Sequence, residues 1–126
     1  MVVSHHKSKR APSGAMYKKA RGRRLAELGR TPSLTRIGEQ KTKVVRTRGG
    51  NTKKRLLSGD TANVYNPKSK KHEIIKILNV VESPADINYV RRNIMVKGTI
   101  LQTENGKAKI TNSPGQDGMI NAVMLE

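Results

Sequence analysis

The chain of 126 residues contains no cysteine, no phenylalanine and no tryptophan. Without cysteine there is no disulfide framework and no thiolate metal site, a composition compatible with the cytosol. Tyr17, Tyr65 and Tyr89 are the only aromatic residues and lie far apart in sequence. The series of aromatic platforms on which readers of single-stranded nucleic acid stack bases is therefore missing. Acidic residues are also scarce, 9 against 26 Lys and Arg, for a net charge of +17. No stretch approaches the roughly 18 apolar residues of a membrane-spanning helix, and the opening MVVSHHKSKR has no apolar secretion-signal core. A soluble, unsecreted protein is the expectation.

The charge is unevenly placed. Residues 1–55 hold 17 of the 26 Lys and Arg with only Glu27 and Glu39 against them, whereas residues 56–126 hold 9 basic and 7 acidic residues. A segment so positive repels itself and requires a polyanion to become compact. Nucleic acid, an anionic membrane surface and an acidic protein all qualify. The basic segment lacks the broad apolar face of membrane-surface helices, so no membrane partner is expected. With so few aromatics, nucleic acid would be held by phosphate and shape rather than by base stacking.

The stretch VVRTRGGNTKKR, Val44 to Arg55, organises the chain. Two β-branched residues lead into Arg46 and Arg48, the chain turns through Gly49, Gly50 and Asn51, and it leaves through Lys53, Lys54 and Arg55. Gly and Asn accept positive φ at little cost and let backbone N–H groups approach an anion. Five cations beside such a turn point to phosphate; the plain alternative is a β-hairpin whose charges face water.

Before that hairpin, residues 1–40 read as a basic extension with little structure when free. Lys7, Lys9, Arg10, Lys18, Lys19, Arg21, Arg23, Arg24 and Arg30 are its candidate phosphate contacts. Residues 15–28, AMYKKARGRRLAEL, are compatible with three turns of a helix that orders on its partner, with Met16, Ala20, Leu25 and Leu28 as a weak stripe. His5 and His6 do not make a metal site, because adjacent side chains diverge and no third ligand is near. Residues 30–40 read as a linker that Leu34 and Ile37 pin to the body.

Beyond residue 40 short β-type runs alternate with turn signals. Ile, Leu and Val number 6 in the first 40 residues and 21 in the remaining 86, so the core belongs to the second part. KHEIIKILNVVE, residues 71–82, has apolar residues at both parities, which suits a bent strand that changes face at a bulge. SPAD, residues 83–86, suits the cap of one helical turn. Asn105-Gly106 suits a type I′ hairpin turn, PGQDG at 114–118 is a loop, and MINAVML is the last strand. About six short strands with no room for crossover helices predict a mainly β protein, a small antiparallel barrel over residues 41–126.

Catalytic signatures are missing. There is no phosphate loop, GxGxxG, HExxH or GxSxG, and the acids Asp60, Glu73, Glu82, Asp86, Glu104 and Asp117 are scattered at turns and strand ends. No enzyme activity, cofactor or small-molecule substrate is expected.

Four blocks in order carry a family resemblance: SHHKSKRAPSGA and KKARGRRLAELGRTPSLTRIG in the extension, VRTRGGNTKKRLL at the hairpin, VYNP and VVESPADINYVRRNIMVKGTI in the middle, and SPGQDGMINAVMLE at the end. Over essentially its whole length the chain resembles the small-subunit ribosomal protein number eight of the archaeal and eukaryotic type, in its short archaeal form. The bacterial protein of the same number is unrelated. The resemblance implies a β-barrel body with a basic extension threaded into ribosomal RNA, neighbouring ribosomal proteins as partners, and a structural role in cytoplasmic translation. The pattern of charge alone leaves open a general RNA-coating or RNA-chaperone protein without a fixed site.

Overall fold

The computed structural model describes residues 3–4, 8–18, 21–22 and 24–125. The chain forms two units, Met1–Pro32 and Ser33–Glu126.

In the first unit, β1 (Val3–Ser4) pairs antiparallel with β2 (Leu28–Gly29). Residues 9–17 make a tight hairpin: Arg10 bridges Met16, the Ala11 N–H donates to the Ala15 carbonyl at 2.8 Å, and the Tyr17 N–H donates to the Lys9 carbonyl at 3.0 Å. Pro12 and Ser13 carry the bend and Gly14 takes the positive φ of 86° that ends it. The helix expected over 15–28 does not form among the described residues; its only helical turn is 3-10, Leu25–Glu27. Met16 is 68% and Leu25 85% exposed, so no apolar face is covered to hold a helix whose cations repel one another.

The second unit contains β3 (Thr35–Ile37), β4 (Lys41–Arg46), β5 (Thr52–Gly59), β6 (Thr61–Asn66), β7 (Lys71–Glu82), β8 (Ile94–Met95), β9 (Ile100–Thr103), β10 (Gly106–Ile110) and β11 (Asn121–Met124), with short helices α1 (Ile87–Arg91) and α2 (Pro114–Asp117). It is mainly β, as expected. Five strands close a barrel in the order β10-β11-β6-β7-β9, and four form a sheet in the order β4-β5-β3-β8. A closed ring with an odd number of strands cannot be antiparallel throughout. One seam must be parallel, and here it is β6 against β11, with Asn63 opposite Asn121 and Tyr65 opposite Val123.

So narrow a barrel leaves little interior volume. Ala62, Val64, Ala108 and Ala122 fill much of it, with Ile75, Ile77, Val80, Leu101 and Ile110; Leu56 and Met95 of the second sheet join the same cluster. All these residues lie beyond position 55, where the sequence puts the core. Strand β7 pairs with β6 along its first half and with β9 along its second, and its register shifts between Ile77 and Asn79 and again between Val80 and Glu82. The buried positions accordingly change parity, from Ile75 and Ile77 to Val80, which is why the run is apolar at both parities.

Asp86 caps α1, its carboxylate accepting from the Asn88 N–H at 2.8 Å. The hairpin expected at Asn105-Gly106 is present, one residue out of place. Thr103 pairs with Gly106, so Glu104 and Asn105 form the loop, both with negative φ, and Gly106 enters the strand at φ 128°.

Candidate nucleic-acid interface

Strands β4 and β5 make a two-stranded ribbon with no buried side chain from Lys41 to Lys54; Leu56 is the first residue to reach the core. Residues directly opposite on an antiparallel ladder share a face. Lys43 lies opposite Arg55 and Val45 opposite Lys53 on one face; Val44 opposite Lys54 and Arg46 opposite Thr52 lie on the other. Cations therefore occupy both faces, and Arg48 stands exposed at the tip. Like charges directly opposite one another destabilise a ladder, so the Lys43–Arg55 pair costs the free protein stability.

The tip is well ordered by its own bonds. The Thr47 N–H and hydroxyl both donate to the Asn51 carbonyl, at 2.7 and 3.0 Å, and the Asn51 side-chain amide donates to the Arg48 carbonyl at 3.3 Å. Gly49 and Gly50 take φ of 74° and 78° in succession, which L side chains rarely tolerate. A Cβ at Gly50 would meet nothing within 4 Å. Glycine is thus required there by conformation, and the open space beside it is accessible to a ligand.

At its base the ribbon rests on the α2 loop. A Cβ at Gly118, where φ is 77°, would come 3.0 Å from the Lys54 Cβ and 3.3 Å from its carbonyl oxygen. Asp117 holds this loop closed by accepting from the Ser113 N–H at 3.2 Å and the Asn112 amide at 3.1 Å.

The structure gathers Arg46, Arg48, Gly49, Gly50, Asn51, Lys53, Lys54 and Arg55 on this ribbon, all exposed except the half-buried Arg55. Lys41 and Lys43 belong with them and were not singled out from sequence. Their presence in β4 was the only signal, and that Lys43 faces Arg55 depends on the register. In the first unit Lys9, Arg10, Lys18, Arg21, Arg24 and Arg30 are exposed, while Lys7, Lys19 and Arg23, like His5 and His6, lie outside the described residues. Arg10 donates to the Gly14 carbonyl at 2.9 Å. Arg21 is engaged by both oxygens of Glu27, at 2.5 and 3.2 Å. These bonds and the carboxylate charge push its pKa up, so a phosphate at Arg21 must compete with Glu27.

Among the described residues no three His, Asp or Glu side chains converge as a metal site, and no helix is long and apolar enough to cross a membrane.

Residues 4–125 match the family model described as ribosomal protein S8e. Similar curated proteins include small ribosomal subunit protein eS8 of Methanobrevibacter smithii, 47% identical over 125 residues that span 99% of this chain and all of that protein. The protein of the same name from Picrophilus torridus is 49% identical over 125 residues with the same coverage. That of Methanocorpusculum labreanum is 49% identical over 120 residues, 95% of this chain and 96% of its own length.

Proposed function

The chain belongs to the ribosomal protein S8e family, and from that membership we propose that it binds ribosomal RNA of the small subunit through the β4–β5 ribbon and the basic N-terminal unit. As a small-subunit ribosomal protein its place is the ribosome and the cytoplasm, its partners are ribosomal RNA and ribosomal proteins, and its role is structural rather than enzymatic.

The observation that carries the finer reading is the ribbon's charge on both faces and at its tip. A surface that lies against one RNA helix needs cations on one side only. A ribbon positive on two faces fits a crevice between RNA segments, where it neutralises phosphates that would otherwise repel, and releases their condensed counterions. The RGGN tip supports close backbone approach to phosphate. Contacts of this kind fix register and orientation and carry no base sequence. If on the order of ten cations from ribbon and N-terminal unit each meet one phosphate, the logarithm of affinity falls with the logarithm of salt at a slope of about −7 to −9.

The deciding experiment is sedimentation of tagged protein from native extract, at moderate salt and after a high-salt wash. Near-stoichiometric recovery with the small subunit through the wash is expected. A protein smeared over all RNA and stripped by salt would instead be a general RNA-coating protein. Removing residues 1–32 tests the division of labour. The cut belongs at Pro32 because Thr35, in β3, is buried and donates to the Leu56 carbonyl at 2.8 Å. The truncated protein should keep its β-type circular dichroism and show a flatter salt slope.

A further inference from the structure

On the outside of the barrel, over the parallel seam, lies a groove of about 520 Å³ between β6, β7 and β11. It is within the size range of sites that take small organic groups. Across the seam Asn63 faces Asn121 and Tyr65 faces Val123, and the exposed Ile74 lines the β7 side. Tyr65 meets His72 across the β6–β7 ladder with ring centroids 4.9 Å apart and planes tilted by 41°. His72 is exposed and Tyr65 half-buried, so ring surface remains uncovered. Beside the rings the Asn63 amide donates to Asn121 Oδ1 at 3.3 Å. That bond leaves the side-chain Oδ1 of Asn63 and Nδ2 of Asn121 as an adjacent acceptor and donor.

The same end of the groove carries a basic turn. Residues 66–71 read NPKSKK, and Asn66 Oδ1 orders the bend by accepting from the Lys68 and Ser69 N–H groups at 3.0 and 3.4 Å. Lys68, Lys70 and Lys71 are all exposed. The nearest acid in the groove wall, Glu73, accepts from the Asn105 amide at 3.4 Å. Ring surface, a paired amide donor and acceptor, and a cationic edge are the three elements by which proteins hold a splayed-out nucleotide: stacking, base-edge hydrogen bonds and phosphate contact. A protein strand has no backbone edge to add to here, because the barrel is closed and both seam strands are already paired.

We propose that this groove receives one unpaired nucleotide of RNA, its base against Tyr65 and His72, its edge read by Asn63 and Asn121, and its phosphate held by the Lys68–Lys71 turn. The proposal rests on the ribosomal reading above, yet it adds a base-contacting site to a protein otherwise built for phosphate.

The test uses full-length protein assembled into small subunits, wild type against Tyr65→Leu and, should that variant melt early, His72→Ala. Reagents that modify the Watson–Crick edges of all four bases are read out along the RNA. One unpaired base, protected by the wild type, should become about tenfold more reactive in the variant, as expected for loss of one base–aromatic stack, while subunit occupancy stays unchanged. Normal occupancy with no base altered would overturn the proposal, as would a chemical cross-link joining the groove to a neighbouring protein. Protein absent from the subunit would instead sink the ribosomal reading, and this site with it.

Discussion

The β4–β5 ribbon and the β9–β10 hairpin share a backbone geometry and differ in what holds them. In β9–β10, Leu101, Thr103, Ala108 and Ile110 alternate inward and are all buried. Their cross-strand pairs are secured by the core, and a two-residue loop suffices. The ribbon has no buried residue before Leu56, sets Lys43 opposite Arg55, and turns through five residues, Thr47 to Asn51. One hairpin is complete as it stands. The other carries cations on both faces, sets two of them directly opposite each other, and reaches the core only at Leu56. Burial and charge thus separate a hairpin built into the core from one that stands outside it.

The largest expected effect lies on the buried side. Leu101→Ala empties a fully buried position and should cost roughly 2–5 kcal/mol of stability by chemical denaturation, with RNA affinity of the folded fraction unchanged. A matching loss of affinity would erase the distinction between the hairpins. Next, replacing Lys43, Lys53 and Arg55 together by alanine should leave the melting temperature unchanged or higher and reduce the salt slope of RNA binding by about 2–3, near one per phosphate contact. An unaltered slope would mean that these cations face water. The smallest effect is the most diagnostic. Lys43→Thr removes the like-charge pair and should stabilise free protein by a few tenths to about 1 kcal/mol while weakening RNA binding; stability and affinity move in opposite directions only if the ribbon is strained for its partner.

Much of this division was legible in the chain. VVRTRGGNTKKR, with five cations around a Gly-Gly-Asn turn and no acid within the stretch, announces a basic hairpin, and the apolar residues at both parities of KHEIIKILNVVE announce a strand that changes face. Asp86 after Ser-Pro-Ala marks a cap. The rest depends on pairing at a distance. Thr35–Ile37 is too short to show a period, and it is a strand because β5 and β8 flank it. The helix expected near Met16 fails for want of a surface to cover its stripe, which no local pattern can supply. Lys43 and Arg55 are 12 positions apart, and the sequence does not say that they meet. Tyr65 and His72 look unrelated until β6 and β7 align them.

The parallel seam also sets the order of events in folding. Asn63 and Asn121 are 58 residues apart, and joining them closes the longest loop in the barrel, the slowest kind of contact to form. The strand that closes the ring is also the last one synthesised. While the chain is being made, the basic N-terminal unit and the ribbon are therefore exposed before the barrel that carries them can be finished, and the cations are available to RNA from the start.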